Sequence, residues 1–166
     1  LIHNRWGKSV SVVERQVVST SINEAILLRY TRLQIRERLQ QVVMSGKLVV
    51  GAGVGAGSYA SYAEAGGADM LLLFTAARYR VAGIPSVAAM LPFANSNQLV
   101  MEFGQREILT RVHTIPVIIG LCAIDPTISM ARLLRNVIDA GFDGVNNFPS
   151  VCLIDGKVRE AMEEDG

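Results

Sequence analysis

Between positions 31 and 45 the apolar residues Ile35, Leu39, Val42 and Val43 recur at intervals of four, three and one. That spacing marks one face of an α-helix, and Gly46 stands where a left-handed cap would end it. Beyond Gly46 the pattern changes to short continuous apolar runs: Lys47–Val50, Met70–Phe74, Pro116–Leu121 and Gly144–Phe148. Continuous rather than alternating hydrophobicity predicts strands buried on both faces, as in parallel sheets. Helical stripes lie between them. Met130, Leu133, Leu134, Val137 and Ile138 form a regular one; Leu99, Val100, Phe103, Leu109 and Val112 form a looser one. Two helix exits echo each other, EAGGAD before the second run and DAGFDG before the fourth. Residues 1–30 carry no sustained period and are left as a poorly defined segment or linker.

Strand–helix–strand at this cadence predicts right-handed βαβ units and a parallel sheet. An open doubly wound sheet and a (β/α)8 barrel both satisfy it. About 120 residues follow Gly46, room for four units. A complete barrel takes about 250 residues, so a barrel reading makes residues 31–166 its first half.

Composition narrows the class. Half of the 166 residues are hydrophobic and 19% are charged, which fits a packed domain. A net charge of +1 argues against an electrostatic nucleic-acid binder. The arginine-dense run Arg29–Arg38 is interrupted by Glu37 and reads as a solvated helix face. Cys122 and Cys152 show no CxxC spacing, so a reduced, cytoplasmic chain is expected. No apolar run approaches the ~18 residues of a membrane span. The chain starts at Leu1 rather than Met and stops just after an apparent helix start, which reads as part of something longer.

The candidate chemistry begins at LVVGAGVGAGS, with Gly51, Gly53, Gly55 and Gly57 at alternate positions ahead of Ser58. A dinucleotide fingerprint needs an acid at the carboxyl end of the second strand. Asp69 instead lies at that strand's start, so NAD is not expected; a P-loop lacks its Gly-Lys-Ser/Thr. Two readings stay open: a turn needing positive φ with Ser58 as N-cap, or a side-chain-free loop touching a ligand.

The other strand ends add polar groups. Arg78 and Arg80 begin a long connection containing Pro85 and Pro92 and suit a carboxylate or phosphate, or else simply flank a loop. Asp125-Pro126 has the form of an N-cap followed by Pro at the first helical position, with a metal or substrate role as the other reading. Asn146 and Asn147 could orient a polar ligand. Asp155-Gly156 reads first as a turn. Cys122 lacks an adjacent histidine, since His3 and His113 lie elsewhere, and no tight zinc motif occurs.

Taken together, GAGVG, EAGGAD, RYRVAG with LPFANSN, GLCAIDP and GFDGVNNFPSVCLIDG resemble the phosphoenolpyruvate hydrolase-like TIM-barrel family, from about Gly46 to the last residue. The resemblance implies the barrel, and with it either a homo-oligomer or pairing with a missing C-terminal half. It implies Mg²⁺-assisted lyase or hydrolase chemistry on a small anionic 2-oxo acid or phosphorylated relative, with no nucleic-acid or membrane partner. On that basis Arg78, Asp125 and Asn147 are the catalytic candidates, with Asp125 on the metal. Gly51, Gly53, Gly55, Ser58, Arg80 and Asp155 would contact substrate. Departures are visible: Thr75-Ala76-Ala77 stands where Asn-Ser-Gly is expected, and Asn146-Asn147 with Ser150-Val151-Cys152 replace Gln-Asn and Thr-Val-Gly. No acid-rich magnesium cluster is evident. A non-catalytic nucleotide- or protein-binding barrel is the alternative.

Overall fold

A computed structural model describes residues 29–150 and 154–164. Calls that rest on His3, Cys152 or the valines before position 29 lie outside the described residues. The chain runs α1 (Arg32–Met44), β1 (Gly51–Val54), α2 (Gly57–Ala65), β2 (Met70–Leu73), α3 (Thr75–Val81) and a 3-10 turn (Ser86–Met90). It continues through α4 (Ser96–Phe103), a π turn (Gly104–Ile108), β3 (Val117–Leu121), α5 (Met130–Asp139), β4 (Gly144–Asn147) and α6 (Lys157–Glu164). The four strands are parallel and ordered 1-2-3-4, each pairing with its successor. A doubly wound sheet reverses its order at a switch point; this one does not, which is consistent with a partial barrel-type fold.

The largest correction concerns β1. The predicted strand Lys47–Val50 is not the strand; the glycine segment itself is, from Gly51 to Val54. Leu48 is left exposed. Period-2 alternation explains the shift: Ala52 and Val54 face the helices, whereas Gly51 and Gly53 fall on the other side. None of Gly51, Gly53, Gly55 or Gly57 has positive φ, so the turn reading of these glycines fails.

Register sorts the side chains into two faces. Leu71, Leu73, Val117, Ile119 and Leu121 are buried against Val100, Phe103, Ile108, Val112, Leu133, Val137 and Phe142. The opposite face carries the row Gly53–Leu72–Ile118–Gly144, half-buried or exposed. Burial on both faces, expected from the continuous runs, is therefore realised on the helix side alone. The looser stripe has a local cause. The π turn after Phe103 inserts an extra residue, so Ile108 and Val112 return to the buried side that Val100 and Phe103 occupy.

The two echoing exits are one device used twice. After α2, Gly67 at φ +87° lets Ala68 N–H reach back to Ala63 O, closing the helix. After α5, Gly141 at φ +89° does the same, with Phe142 N–H to Val137 O. Each exit then delivers an aspartate to the amino end of the neighbouring strand. Asp69 N–H donates to Val50 O while Val50 N–H donates to Asp69 Oδ2, both at 2.8 Å. Asp143 and Val117 repeat this exchange, at 3.0 and 2.8 Å. Burial pushes the Asp143 carboxyl up, opposed by the Val117 N–H, the Arg29 charge and the Tyr30 backbone.

Helix α1 opens on a capping box between Thr31 and Gln34 and ends at Gly46, as expected. Its apolar face is not a core face: no residue of α1 is buried, and Val43 is 59% exposed. Polar ties hold it at the amino ends of the strands, where Arg38 donates to Thr114 O and Arg29 to Ile115 O.

Glu64, near the end of α2, gathers the chain before β3. Its Oε1 accepts from His113 N (2.9 Å), Thr114 N (2.6 Å) and Thr114 Oγ1 (2.7 Å). Partial burial raises this carboxyl, but these donors and the His113 charge outweigh it and leave the pKa below its ordinary 4.5. A lowered folded-state value stabilises above 4.5 and is lost as pH falls through the folded pKa. Glu64→Ala is expected to cost about 1–2 kcal/mol at neutral pH. In urea unfolding, that deficit should shrink as the pH is taken below 4.5.

Candidate functional site

The carboxyl ends of the strands hold the predicted residues in separate places. Helix α3 follows β2 directly and crosses the end of β1. There a Cβ on Gly55 would stand 2.3 Å from the Ala77 carbonyl carbon. The expected long connection therefore opens as helix, Thr75–Val81, and this separates the two arginines. Residues two apart on a helix point about 200° apart. Arg78 turns to the helix layer, where its fork meets Glu107 Oε2 at 3.1 Å and Oε1 at 2.9 Å. It also donates to Gly55 O at 3.1 Å and lies 5.5 Å from the centroid of the Phe103 ring. Arg78 is thus engaged within the protein.

Arg80 turns the other way. It is exposed and lines a recess of about 240 Å³ with Gly53, Gly55, Tyr59, Ala77 and Val81. Its Nη1 donates to Ser86 Oγ at 2.8 Å, and Nη2 lies 3.9 Å from where a Gly53 Cβ would be. Three residues expected to contact substrate, Gly53, Gly55 and Arg80, meet in this recess. Gly51 does not join them; it lies at the amino end of β1, against Leu72.

A second cleft, of about 330 Å³, opens at the ends of β3 and β4. Its polar end is built on Asn97, which is 5% exposed. The Asn97 amide donates to Cys122 O (3.1 Å) and to Asp125 Oδ2 (3.2 Å), and its Oδ1 accepts from Cys122 N (2.7 Å). Only a side chain that both donates and accepts can bracket one residue's N–H and C=O in this way. Asp125 does not cap α5: the N-cap is Ser129, without a side-chain bond. Asp125 Oδ1 instead accepts from Thr127 N (2.9 Å) and Oγ1 (2.6 Å). The Thr127 hydroxyl, then its N–H, hold the carboxyl below its ordinary range, helped by Asn97 and Asn95 against a small desolvation.

The remaining candidates are dispersed. Asn147 is exposed and accepts from Ala123 N at 3.2 Å. Ser58 is not an N-cap: Ala56 holds that position, and Ser58 lies in another recess with Glu107 and Arg111. Asp155 accepts from Gly156 N at 2.8 Å, and Gly156 has φ +70°, so the turn reading describes its geometry. Glu107, Asn97 and Ser86 were not singled out from the sequence. The small polar run Asn95-Ser96-Asn97 ahead of a helix was the available signal for one of them.

Magnesium takes six oxygens in near-octahedral geometry. Among the described residues no three His, Cys, Asp or Glu side chains cluster for a metal. Asp125 is the one carboxylate of its cleft, and both of its oxygens already accept hydrogen bonds. The described residues do not fit an ion held by the protein alone.

The sequence profile described as "Phosphoenolpyruvate hydrolase-like" matches residues 34–166. Two tomato (Solanum lycopersicum) proteins, "ToMV susceptible protein tm-1(GCR26)" and "ToMV resistance protein Tm-1(GCR237)", are each 42% identical over 135 residues, 81% of this chain. "Putative transcriptional regulatory protein y4pA" of Sinorhizobium fredii is 41% identical over 118 residues, 71% of this chain. The chain spans 18–19% of the length of these relatives. No helix among the described residues is long and apolar enough to cross a membrane.

Proposed function

The chain belongs to the phosphoenolpyruvate hydrolase-like family, and from that premise we propose that it is the anion-binding part of an enzyme-type barrel for small 2-oxo acids or phosphorylated relatives. The observation that carries this is the recess over β1. Arg80 presents its guanidinium beside Gly53, where no side chain separates a ligand from the strand backbone. A carboxylate or phosphate would take the Arg80 fork, and the same positive group would stabilise charge developing on an adjacent oxygen. Arg78 would act from behind, bracing α3 through Glu107 so that Arg80 stays over the glycines. Asn147 and Asp125 would line the same mouth at the neighbouring strand ends. The consecutive strand order and the incompletely covered face support a (β/α)8 wall of which these four strands are half. Lyase or hydrolase chemistry would be completed by residues of the other half. Magnesium at Asp125 would need oxygens from the substrate or from beyond the described residues, so no step is routed through it.

Calorimetry with pyruvate, oxaloacetate and phosphoenolpyruvate, with and without Mg²⁺, tests the reading on this chain and on the longer relatives. Arg80→Ala is expected to weaken binding at least tenfold, the loss of one charge-assisted pair. Its urea midpoint should stay within about 0.5 kcal/mol of the parent, because Arg80 is exposed. No heat from any of the three acids refutes the proposal.

One observation favours a non-catalytic binding module instead. Among the described residues, no His, Asp, Glu or Lys side chain that could serve as general base lines the Arg80 recess. Saturable binding without turnover in the full-length relatives would select that reading.

A further inference from the structure

The cleft beside Asp125 has a chemistry unlike that of the Arg80 recess. One wall is apolar and soft, made by Ala89, Met90, Ile124, Pro126, Pro149 and Met162. The lining also includes oxygens that can accept a further hydrogen bond: Asp125 Oδ2 beside its bond from Asn97, Asn95 Oδ1 beside its bond from Gln98 N, and the Ser96 hydroxyl, which donates to Ala89 O. Among the described residues no Lys or Arg lines the cleft, and Asp125 is its one charged group; Arg106 and Arg132 line the neighbouring recess on the other side of Asp125. An anion entering here would meet the Asp125 carboxylate with no cation lining the same cleft. A divalent metal would lack oxygens, as set out above. A singly charged ammonium needs far less: one carboxylate oxygen with a free lone pair and one or two neutral acceptors.

We propose that this cleft is a binding site for a small primary amine, its ammonium on Asp125 Oδ2 and its hydrocarbon body against Met90, Ile124 and Met162. The volume of about 330 Å³ sets the size at a few carbons to one ring. Asn97 is the positioning residue, since it holds Asp125 Oδ2 toward the acceptor end while fixing Cys122 at the end of β3. The site is independent of the Arg80 reading. If both hold, the two recesses admit an anion and a cation at the same end of the sheet, one over β1 and the other at β3 and β4.

The test is a matched pair of probes, isoamylamine and isovalerate, titrated into the ¹⁵N-labelled chain. The amine should shift the amides of Asn97, Cys122 and Ile124 saturably, and the carboxylate should leave them unmoved. Asp125→Asn should weaken the amine at least tenfold by removing the charge. Met90→Trp, which fills the apolar wall without touching the polar end, should block the amine while Asp125 remains. Shifts from isovalerate equal to those from the amine, or none from either, overturn the proposal. If Asp125→Asn does not fold, Met90→Trp decides: amine binding unchanged in that variant also overturns it.

Discussion

Gly55→Ala is expected to destabilise the fold by about 3 kcal/mol or more, although it adds a single methyl group. The new Cβ would stand 2.3 Å from Ala77 C, 2.4 Å from Ala77 O and 2.4 Å from Arg78 N. These are backbone atoms of α3 and cannot rotate aside. Relief requires α3 to lift from the end of β1, which would carry Arg78 away from Gly55 O and Glu107. The φ angle of Gly55 is not positive, so the penalty is contact alone. Gly53→Ala is the matched control, since its methyl meets only the Arg80 guanidinium, at 3.9 Å. It should stay within about 1 kcal/mol of the parent. Urea unfolding followed by circular dichroism compares the two; equal midpoints would refute the close approach.

Phe142→Ala should cost about 3–5 kcal/mol, the range for a fully buried aromatic ring. Phe142 is 2% exposed and joins the helix layer to the strands just before β4. Its ring lies over Gly104 at the head of the π turn, with Cζ 2.7 Å from where a Gly104 Cβ would be. The two positions should therefore couple. Gly104→Ala should be damaging in the parent and clearly less so once the ring is gone, with only the Leu73 Cδ2 contact at 3.1 Å remaining, a departure from additivity that a double-mutant cycle measures. Additive effects would mean that the ring and the glycine do not share this space.

How far the sequence could be read follows from what its signals depend on. The parallel units, three of the four strands and the paired helix exits were legible because they rest on local pattern. Gly67 and Gly141 need left-handed backbone, and the first is followed by the leucine run of β2. The remaining strand, β1, was placed too early, at Lys47–Val50, because Gly51-Ala52-Gly53 has neither bulk nor branching; it is a strand through its neighbours, Met70–Leu73 and the α3 backbone above it. The same blindness hid the division of the arginines. As loop residues Arg78 and Arg80 could act together; as helix residues two apart they cannot, and nothing in Thr75-Ala76-Ala77 except its helix propensity says which applies. Asp125 was placed at the correct strand end but given the wrong cap, because its partners Asn97 and Thr127 come from different distances along the chain. Side-chain brackets of that kind leave no periodic trace.

The aspartates after Gly67 and Gly141 have a consequence for how the sheet assembles. Each binds the N–H of one neighbouring residue by its carboxylate and the C=O of the same residue by its own amide. A slip of one residue between β1 and β2, or between β3 and β4, would forfeit both bonds together. It would also turn Leu71 and Leu73, or Ile119 and Leu121, out of the core. The first and the third βαβ units therefore carry their own alignment check. It operates within about twenty residues for the first pair (Val50 with Asp69) and under thirty for the second (Val117 with Asp143). In those two units an error of alignment would be rejected locally as the chain leaves the ribosome, before any later strand is available to reward the correct pairing.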